Sequence, residues 1–312
     1  MARFLTIRLM TSILSLLVVT SIIFFVSRVY GDPINNFIPD EGYGLQPEEI
    51  KKVKERLHLD RAVPVQYAFW IGDLLRGDLG EDLRDRHPIA PKLRERIWPT
   101  VQLAGLAFIV ATCVGIPLGV LAAYRRGTPW DYGGRLFAVI GHSLPSFWVG
   151  IVAILVFSVM LKWLPSATQG IDGINWKNYI MPTLVLAWLP MAGYTRLVRS
   201  SMLEILDSEF VKLARAKGVS TRGVVWRHGL RNATIAPLTF AGVLLAGLVS
   251  GSVAVETVFA WPGIARWGVT AVYSNNLNVL SIVTLVFTVF YVVASFLVDV
   301  LYVYVDPRIR YS

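Results

Sequence analysis

Six runs of about 20 mostly apolar residues punctuate this chain, the length a helix needs to cross the hydrocarbon core of a bilayer. They cover roughly 9–28, 100–123, 136–161, 179–198, 235–256 and 279–304. The polar stretches between them are short except at 30–98 and from Asp207 to Pro237. The pattern predicts an all-α polytopic membrane protein: a first span within 1–29, a folded helical segment over 30–98, a helical membrane domain over 99–306 with a loop at 205–234, and a tail at 307–312.

Basic Arg3 and Arg8 precede the first run, as in a secretory signal. The run from Leu9 to Val26 is longer than the apolar stretch of such a signal, and Ser27-Arg28-Val29-Tyr30 offers no small-x-small cleavage site. An uncleaved first span is expected. In the segment that follows, Pro47-Glu48-Glu49-Ile50 suits a helix start, with proline in the first turn and acids near the positive dipole end. Ile50, Val53 and Leu57 share one face, and Lys51 stands a turn from Glu55. A second helix from Pro64 carries Tyr67, Phe69 and Trp70, aromatics that suit a membrane interface. Arg76-Gly77-Asp78 spells an adhesion tripeptide but reads as a turn in this setting.

Small residues mark where spans can approach closely. Gly115-Ile116-Pro117-Leu118-Gly119 joins a small-xxx-small pair to a proline, and Gly247 with Gly251 makes a second pair. Pro145, Pro182, Pro190 and Pro237 interrupt spans, which suits a gated transporter better than a rigid anchor.

Composition sharpens the picture. The 312 residues are 54% hydrophobic and 16% charged, against about 25% charged in soluble domains. The net charge of +9 sits between apolar runs, which points to lipid headgroups and topology rather than nucleic acid. Cys113 is the single cysteine, so an internal disulfide is excluded. His58, His87, His142 and His228 are scattered, and neither a metal site nor a catalytic cluster is expected. His142 and Asp299 are read as structural hydrogen-bonding groups.

Orientation follows the short basic loops. Arg3 and Arg8 lie before the first run; Arg125, Arg126 and Arg135 follow the second; eight basic residues from Arg196 to Arg231 follow the fourth; Arg308 and Arg310 end the chain. On the other side, 162–178 has Lys162 and Lys177, and 257–278 has Arg266. Both termini are therefore expected in the cytoplasm, and 30–98 outside.

The loop from Asp207 to Pro237 reads as two short helices. The first, Ser208 to Lys217, puts Phe210, Val211, Leu213 and Ala214 on an apolar side and stops at Gly218. The second, capped by Ser220 or Thr221, carries Val224, Val225, Trp226 and Leu230 among basic residues. From the residues alone, two readings stand level: a docking knob for a partner protein, and an amphipathic hairpin on the inner leaflet.

Glu209-Phe210-Val211-Lys212-Leu213-Ala214-Arg215-Ala216-Lys217-Gly218, followed by Arg227-His228-Gly229-Leu230-Arg231-Asn232-Ala233 and Pro237, resembles the EAA-type loop of ABC importer permeases. More narrowly, the chain resembles the first permease subunit of the oligopeptide/dipeptide/nickel importer family. The likeness runs nearly end to end: Gly31-Asp32-Pro33, Arg76-Gly77-Asp78-Leu79-Gly80, the Gly115–Gly119 stretch, Ser143-Leu144-Pro145-Ser146-Phe147-Trp148, Val255-Glu256-Thr257-Val258-Phe259-Ala260-Trp261-Pro262-Gly263, and Asp306-Pro307-Arg308-Ile309-Arg310-Tyr311. Two positions depart from the pattern. Lys212 stands where the general family has glutamate, so no acidic contact is assigned there, and Gly229 stands where alanine is expected.

The resemblance implies a binding-protein-dependent importer of two permeases, two ATPases and an external binding protein. It implies an ATPase groove gripping Phe210, Ala214, Arg215, Ala216, Lys217, Gly218, Arg227, His228 and Arg231. The four cations of this set could equally bond lipid phosphates. No Walker A pattern occurs in the sequence, so ATP and Mg are expected on the partner subunits and no cofactor on this chain. The second permease is expected to be a different, homologous chain, with two copies of this one as the other possibility. Glu256, Phe259, Trp261, Pro262 and Gly263 are expected to form an irregular outer hairpin facing the binding protein. Glu256 is either a ligand contact or gate, or, as preferred, an interfacial acid bonding a backbone end. Peptides are the first guess for the solute, with nickel chelates, glutathione and short saccharides admitted. A secondary transporter is the rival reading. It needs a mid-span relay of carboxylates, and none of the six runs carries a central acid.

Overall fold

The chain is described by a computed structural model over residues 2–30, 48, 51, 54–55, 59–167, 175–221, 223–233 and 235–305. Helices dominate, and the described residues contain one isolated antiparallel bridge, Glu81 to Pro88, and no strand. In order they are α1 (Ala2–Tyr30), α2 (Val63–Leu75), α3 (Ile89–Tyr124), α4 (Pro129–Ser143) and α5 (Ser146–Ala153, continuing as a wider π-helix over Ile154–Met160). Then come α6 (Trp176–Leu206), α7 (Glu209–Ala216), α8 (Gly223–Leu230, π-helical, followed by a turn at Arg231–Ala233), α9 (Ile235–Val258), α10 (Ile264–Tyr273) and α11 (Leu277–Val305).

Among the described residues, three stretches are long and apolar enough to cross a membrane: Thr6–Val26 in α1, all of α3, and Leu277–Val298 in α11. Two bent pairs also qualify, α4 with Ser146–Met160 at 103° and Ala236–Leu245 with Gly247–Val258 at 54°. The third apolar run is thus not one helix over 136–161. It starts at Pro129 and is broken sharply at Leu144-Pro145, because proline forces its predecessor out of the helical region and Leu144 takes ψ 123°. The second bend falls beside Gly247, a residue that stiffens a helix least.

The fourth run lies inside α6, whose 31 residues reach well beyond 179–198. Asn175 opens it with a reciprocal cap, its side chain accepting from Lys177 N–H while Asn178 Oδ1 accepts from Asn175 N–H. α6 is less apolar than a lipid-facing helix because its partners are protein: Ala187, Ala192, Tyr194, Thr195, Val198 and Met202 are fully buried.

Two compact units make up the chain. The first comprises Met1–Thr100 and Pro262–Val292. In it α2 lies along α1, with Phe24 between Tyr67 and Trp70 at 5.4 Å from each and Arg28 over the Phe24 ring. Its core gathers Ile89, Ile264, Trp267, Val279, Ile282 and Val283. Arg76-Gly77-Asp78 is a turn, with Gly77 at φ +83°. The helix face of Ile50, Val53 and Leu57, and the motifs at Gly31–Pro33 and Asp306–Tyr311, lie outside the described residues. The second unit comprises Val101–Trp261 and Val293–Ser312 and carries the candidate site.

Candidate docking site

Two residues past α6 the chain turns into α7, and glycine ends that helix. Gly218 N–H bonds Arg215 C=O at 3.0 Å and Val219 N–H bonds Ala214 C=O at 3.1 Å, with Gly218 at φ +77°. This is the paired closure of a left-handed helix stop. Nothing lies within 4 Å of where a Gly218 side chain would begin, so the backbone, not crowding, requires glycine. Ser220 then opens α8, its Oγ accepting from Gly223 N–H at 3.3 Å and its carbonyl from Val224 N–H at 2.9 Å.

The two short helices are seated on the ends of α3 and α6. Val211, Val224 and Val225 share a buried core with Val120, Ala123, Val198, Met202 and Leu206. Each such aliphatic side chain contributes about 1.5–3 kcal/mol when fully buried. The expectation of alanine at 229 meets a physical reason here: a Cβ on Gly229 would lie 3.0 Å from Met202 Cε and 3.2 Å from the Val224 carbonyl oxygen. Glycine lets α8 press onto α6.

The apolar side predicted for α7 is split. Val211 alone of Phe210, Val211, Leu213 and Ala214 is fully buried; Ala214 is half-buried, while Phe210 is 45% and Leu213 56% exposed. Trp226 on α8 is 50% exposed. Arg215, Ala216, Lys217, Gly218, Arg227 and Arg231 are exposed as well, and the His228 side chain is outside the described set. Lys212 pairs with Glu209 at 2.7 Å. Three exposed apolar side chains among cations make a surface suited to a partner's groove, since aromatic anchors dominate protein interfaces.

Sequence reasoning missed an ion pair behind this surface. Arg199 Nε and Nη2 bond Asp131 Oδ1 and Oδ2 at 2.6 and 3.2 Å, and Gly127 N–H donates to Oδ2 at 3.0 Å. Asp131 is 1% exposed. The available signal was a lone acid, flanked by Arg125, Arg126 and Arg135, at the edge of an apolar run.

Comparison with known proteins adds the family. Residues 115–311 match the family described as binding-protein-dependent transport system inner membrane component, and residues 1–93 match its N-terminal companion. The chain belongs to that family. It is 37% identical over 302 residues to a Brucella abortus protein described as a peptide transport system permease, covering 95% of each chain. It is 34% identical over 321 residues to the oligopeptide transport system permease protein AppB of Bacillus subtilis, covering 100% of each. A solved structure of the MetNI methionine ABC transporter, in an inward-facing conformation, shares the fold with a TM-score of 0.58 at 20% identity. That match covers 70% of this chain and 98% of the other. The protein is thus a membrane-embedded ABC importer permease of the peptide-transporter family, and it works with other components of such a system.

In this permease the two small-residue pairs behave differently. A Cβ on Gly115 would lie 2.7 Å from Tyr194 Cβ, and one on Gly119 would lie 2.7 Å from Val198 Cβ. α3 and α6 therefore touch backbone to backbone, and Thr195 Oγ1 reaches Gly115 C=O at 3.3 Å. Pro117 is accommodated within α3 without ending it. Around Gly247 and Gly251, no described atom lies within 4 Å of the place where a side chain would begin, so among the described residues they bring no helices together. Pro145 begins α5 as its N-cap.

The stretch expected to form the outer hairpin has its side chains buried within the chain. Within the second unit Glu256 and Trp261 are 0% exposed and Phe259 1%. Trp261 meets the Tyr179 ring edge-on at 4.8 Å, and its N–H bonds Glu256 C=O at 2.8 Å. The Glu256 carboxylate accepts from Ser252 Oγ at 3.1 Å. In the other unit Pro262 and Gly263 are buried too, and Ile264 N–H bonds Thr100 Oγ1 at 2.9 Å. These side chains are core in the isolated chain because aromatic rings at a helix end bury large area.

Proposed function

We propose that α7 and α8 form the coupling knob that an ATPase subunit grips, so that nucleotide-driven closure of the ATPases rocks α3 and α6 and opens a path for peptides. The observation that carries this reading is the exposure of Phe210, Leu213 and Trp226 beside Arg215, Lys217, Arg227 and Arg231, on helices anchored by Val211, Val224 and Val225. Free apolar side chains on a braced support favour a protein partner over the membrane-surface reading.

The finer topology belongs to the same reading: six spans, formed by α1, α3, the α4–α5 pair, α6, α9 and α11, with both termini and the knob in the cytoplasm. The basic residues at Arg3, Arg8, Arg125, Arg126 and after α6 support that orientation. The assembly would hold a second, homologous permease, two ATPases that bind ATP and Mg, and an external binding protein. This chain would hold no cofactor. Relatives named for peptide and oligopeptide transport support peptides as the solute. The family assignment leaves the ion-coupled alternative without support.

The test is reconstitution with the ATPase subunits, partner permease and binding protein of the same system. Co-purification and ATP hydrolysis stimulated by peptide-loaded binding protein are expected. A Ser220→Cys variant that reacts with membrane-impermeant thiol reagents from outside intact cells would sink the topology and the docking together.

A further inference from the structure

We infer that Asp131 and Arg199 are positioning residues that make α4 move as one body with the docking segment. The inference rests on the proposed docking of α7 and α8, and concerns what that docking moves.

Two ion pairs join the same two places. Arg199, near the end of α6, holds Asp131 in the first turn of α4 through two parallel bonds. Asp207, between α6 and α7, pairs with Arg126 in the α3–α4 turn at 3.3 Å. Around the first pair, Gly127 N–H donates to the same carboxylate and Arg135 Nε stands 3.4 Å from it. Close contacts run alongside: a Cβ on Gly134 would meet Ala122 Cβ at 2.9 Å, and one on Gly141 would meet Ala192 Cβ at 2.3 Å.

Burying an ion pair is a poor route to stability, since desolvation offsets most of the attraction. What a forked guanidinium–carboxylate contact supplies is fixed geometry, because both groups are planar and both bonds must form together. Apolar packing alone lets helices slide, whereas this clamp sets the rotation of α4 about α6. A push on α7 and α8 therefore passes through Val211 and Val224 into the end of α6, and through Arg199 into α4. α4 ends at the Leu144-Pro145 break, where its displacement can change the 103° angle to the next helix.

The experiment uses the full importer in nanodiscs, comparing wild type, R199Q, D131N and the swapped pair D131R/R199D. Each single variant is expected to co-purify with the ATPase subunits and keep basal ATP hydrolysis. Stimulation by the cognate binding protein should fall about tenfold in each and recover in the swapped pair. Single variants stimulated as strongly as wild type, or a swap no better than either single, overturn the proposal. If wild type itself fails to bind the ATPases, the docking reading has failed instead, and the clamp inference with it. If the single variants do not reach the membrane, a distance measurement on the wild-type sequence decides. Spin labels at W130C and E209C in a C113S background should stay equally spaced with and without ATP and Mg. A nucleotide-dependent change between them overturns the proposal.

Discussion

Gly119 lets α3 meet Val198 of α6 at a separation no side chain allows: a methyl at 119 would stand 2.7 Å from Val198 Cβ and 2.9 Å from the Thr195 carbonyl oxygen. Because the second of those atoms is backbone, relief requires the helices to part. Gly119→Val should therefore lower stability by about 1–3 kcal/mol, read as a fall in the thermal midpoint of the purified permease. Gly247→Ala, with open space around it, should leave that midpoint unchanged in the isolated chain. Equal effects at the two positions would contradict the packing described.

Gly218 calls for a different test, because its neighbourhood is empty and its backbone is left-handed. Asparagine tolerates that conformation and alanine does not, at a cost of about 1–2 kcal/mol for an ordinary side chain. Gly218→Asn should couple ATP hydrolysis to transport nearly as wild type, whereas Gly218→Val should uncouple it by tilting α8. The check is the ratio of peptide taken up to ATP hydrolysed, and indifference to both changes would refute the role of the turn.

Trp226 is half exposed while its neighbours Val224 and Val225 are buried, so surface and support can be separated by mutation. Trp226→Ser should leave the thermal midpoint in place and weaken ATPase-subunit binding by about 2 kcal/mol, as loss of an interface anchor does. Val224→Ser should lower the midpoint instead, since it places a hydroxyl in an apolar core. Pull-down titrations with the ATPase subunits, beside thermal scans, separate the two.

The long apolar stretches in α1, α3 and α11 were legible because lipid imposes a length and a composition that any helix facing it must meet. α6 was legible only by length and proline-broken hydropathy, since a helix packed mostly against protein can carry a buried Thr195 and a paired Arg199 where a lipid-facing one cannot. The segment after α6 was legible as two helices and a glycine stop, which are local features. Which of its apolar residues would point inward was not, because Val211 is chosen over Phe210 and Leu213 by the surfaces of α3 and α6, far away in sequence. The same holds for Asp131 and Arg199, 68 residues apart, and for Gly229, whose reason is Met202. The burial of Phe259 and Trp261 was not legible because a short aromatic segment after an apolar run reads the same whether it meets water or Tyr179.

Asp85 links one small loop to acidity. Its carboxylate bonds the Lys92 ammonium, and its other oxygen accepts from His87 N–H at 3.1 Å. The hydrogen bond from Lys92 holds the Asp85 carboxyl below the ordinary carboxylate range, aided by His87 and opposed by partial burial. A group depressed in the folded state stabilises it above its unfolded value, about 4, and that contribution vanishes as pH falls through the folded value. Half exposure of Asp85 keeps the effect modest through solvent screening. Lys92→Met leaves Asp85 without its chief partner and also removes the ammonium that Asp82 of the same loop holds at 2.5 Å, so acid-induced loosening of the 80–88 loop should begin at higher pH than in wild type. Hydrogen exchange at the Ile89 amide, which bonds Gly80 C=O at 3.0 Å, reports that loosening directly. If the exchange profile against pH is the same in Lys92→Met and wild type, the Asp85–Lys92 contact contributes nothing to the loop.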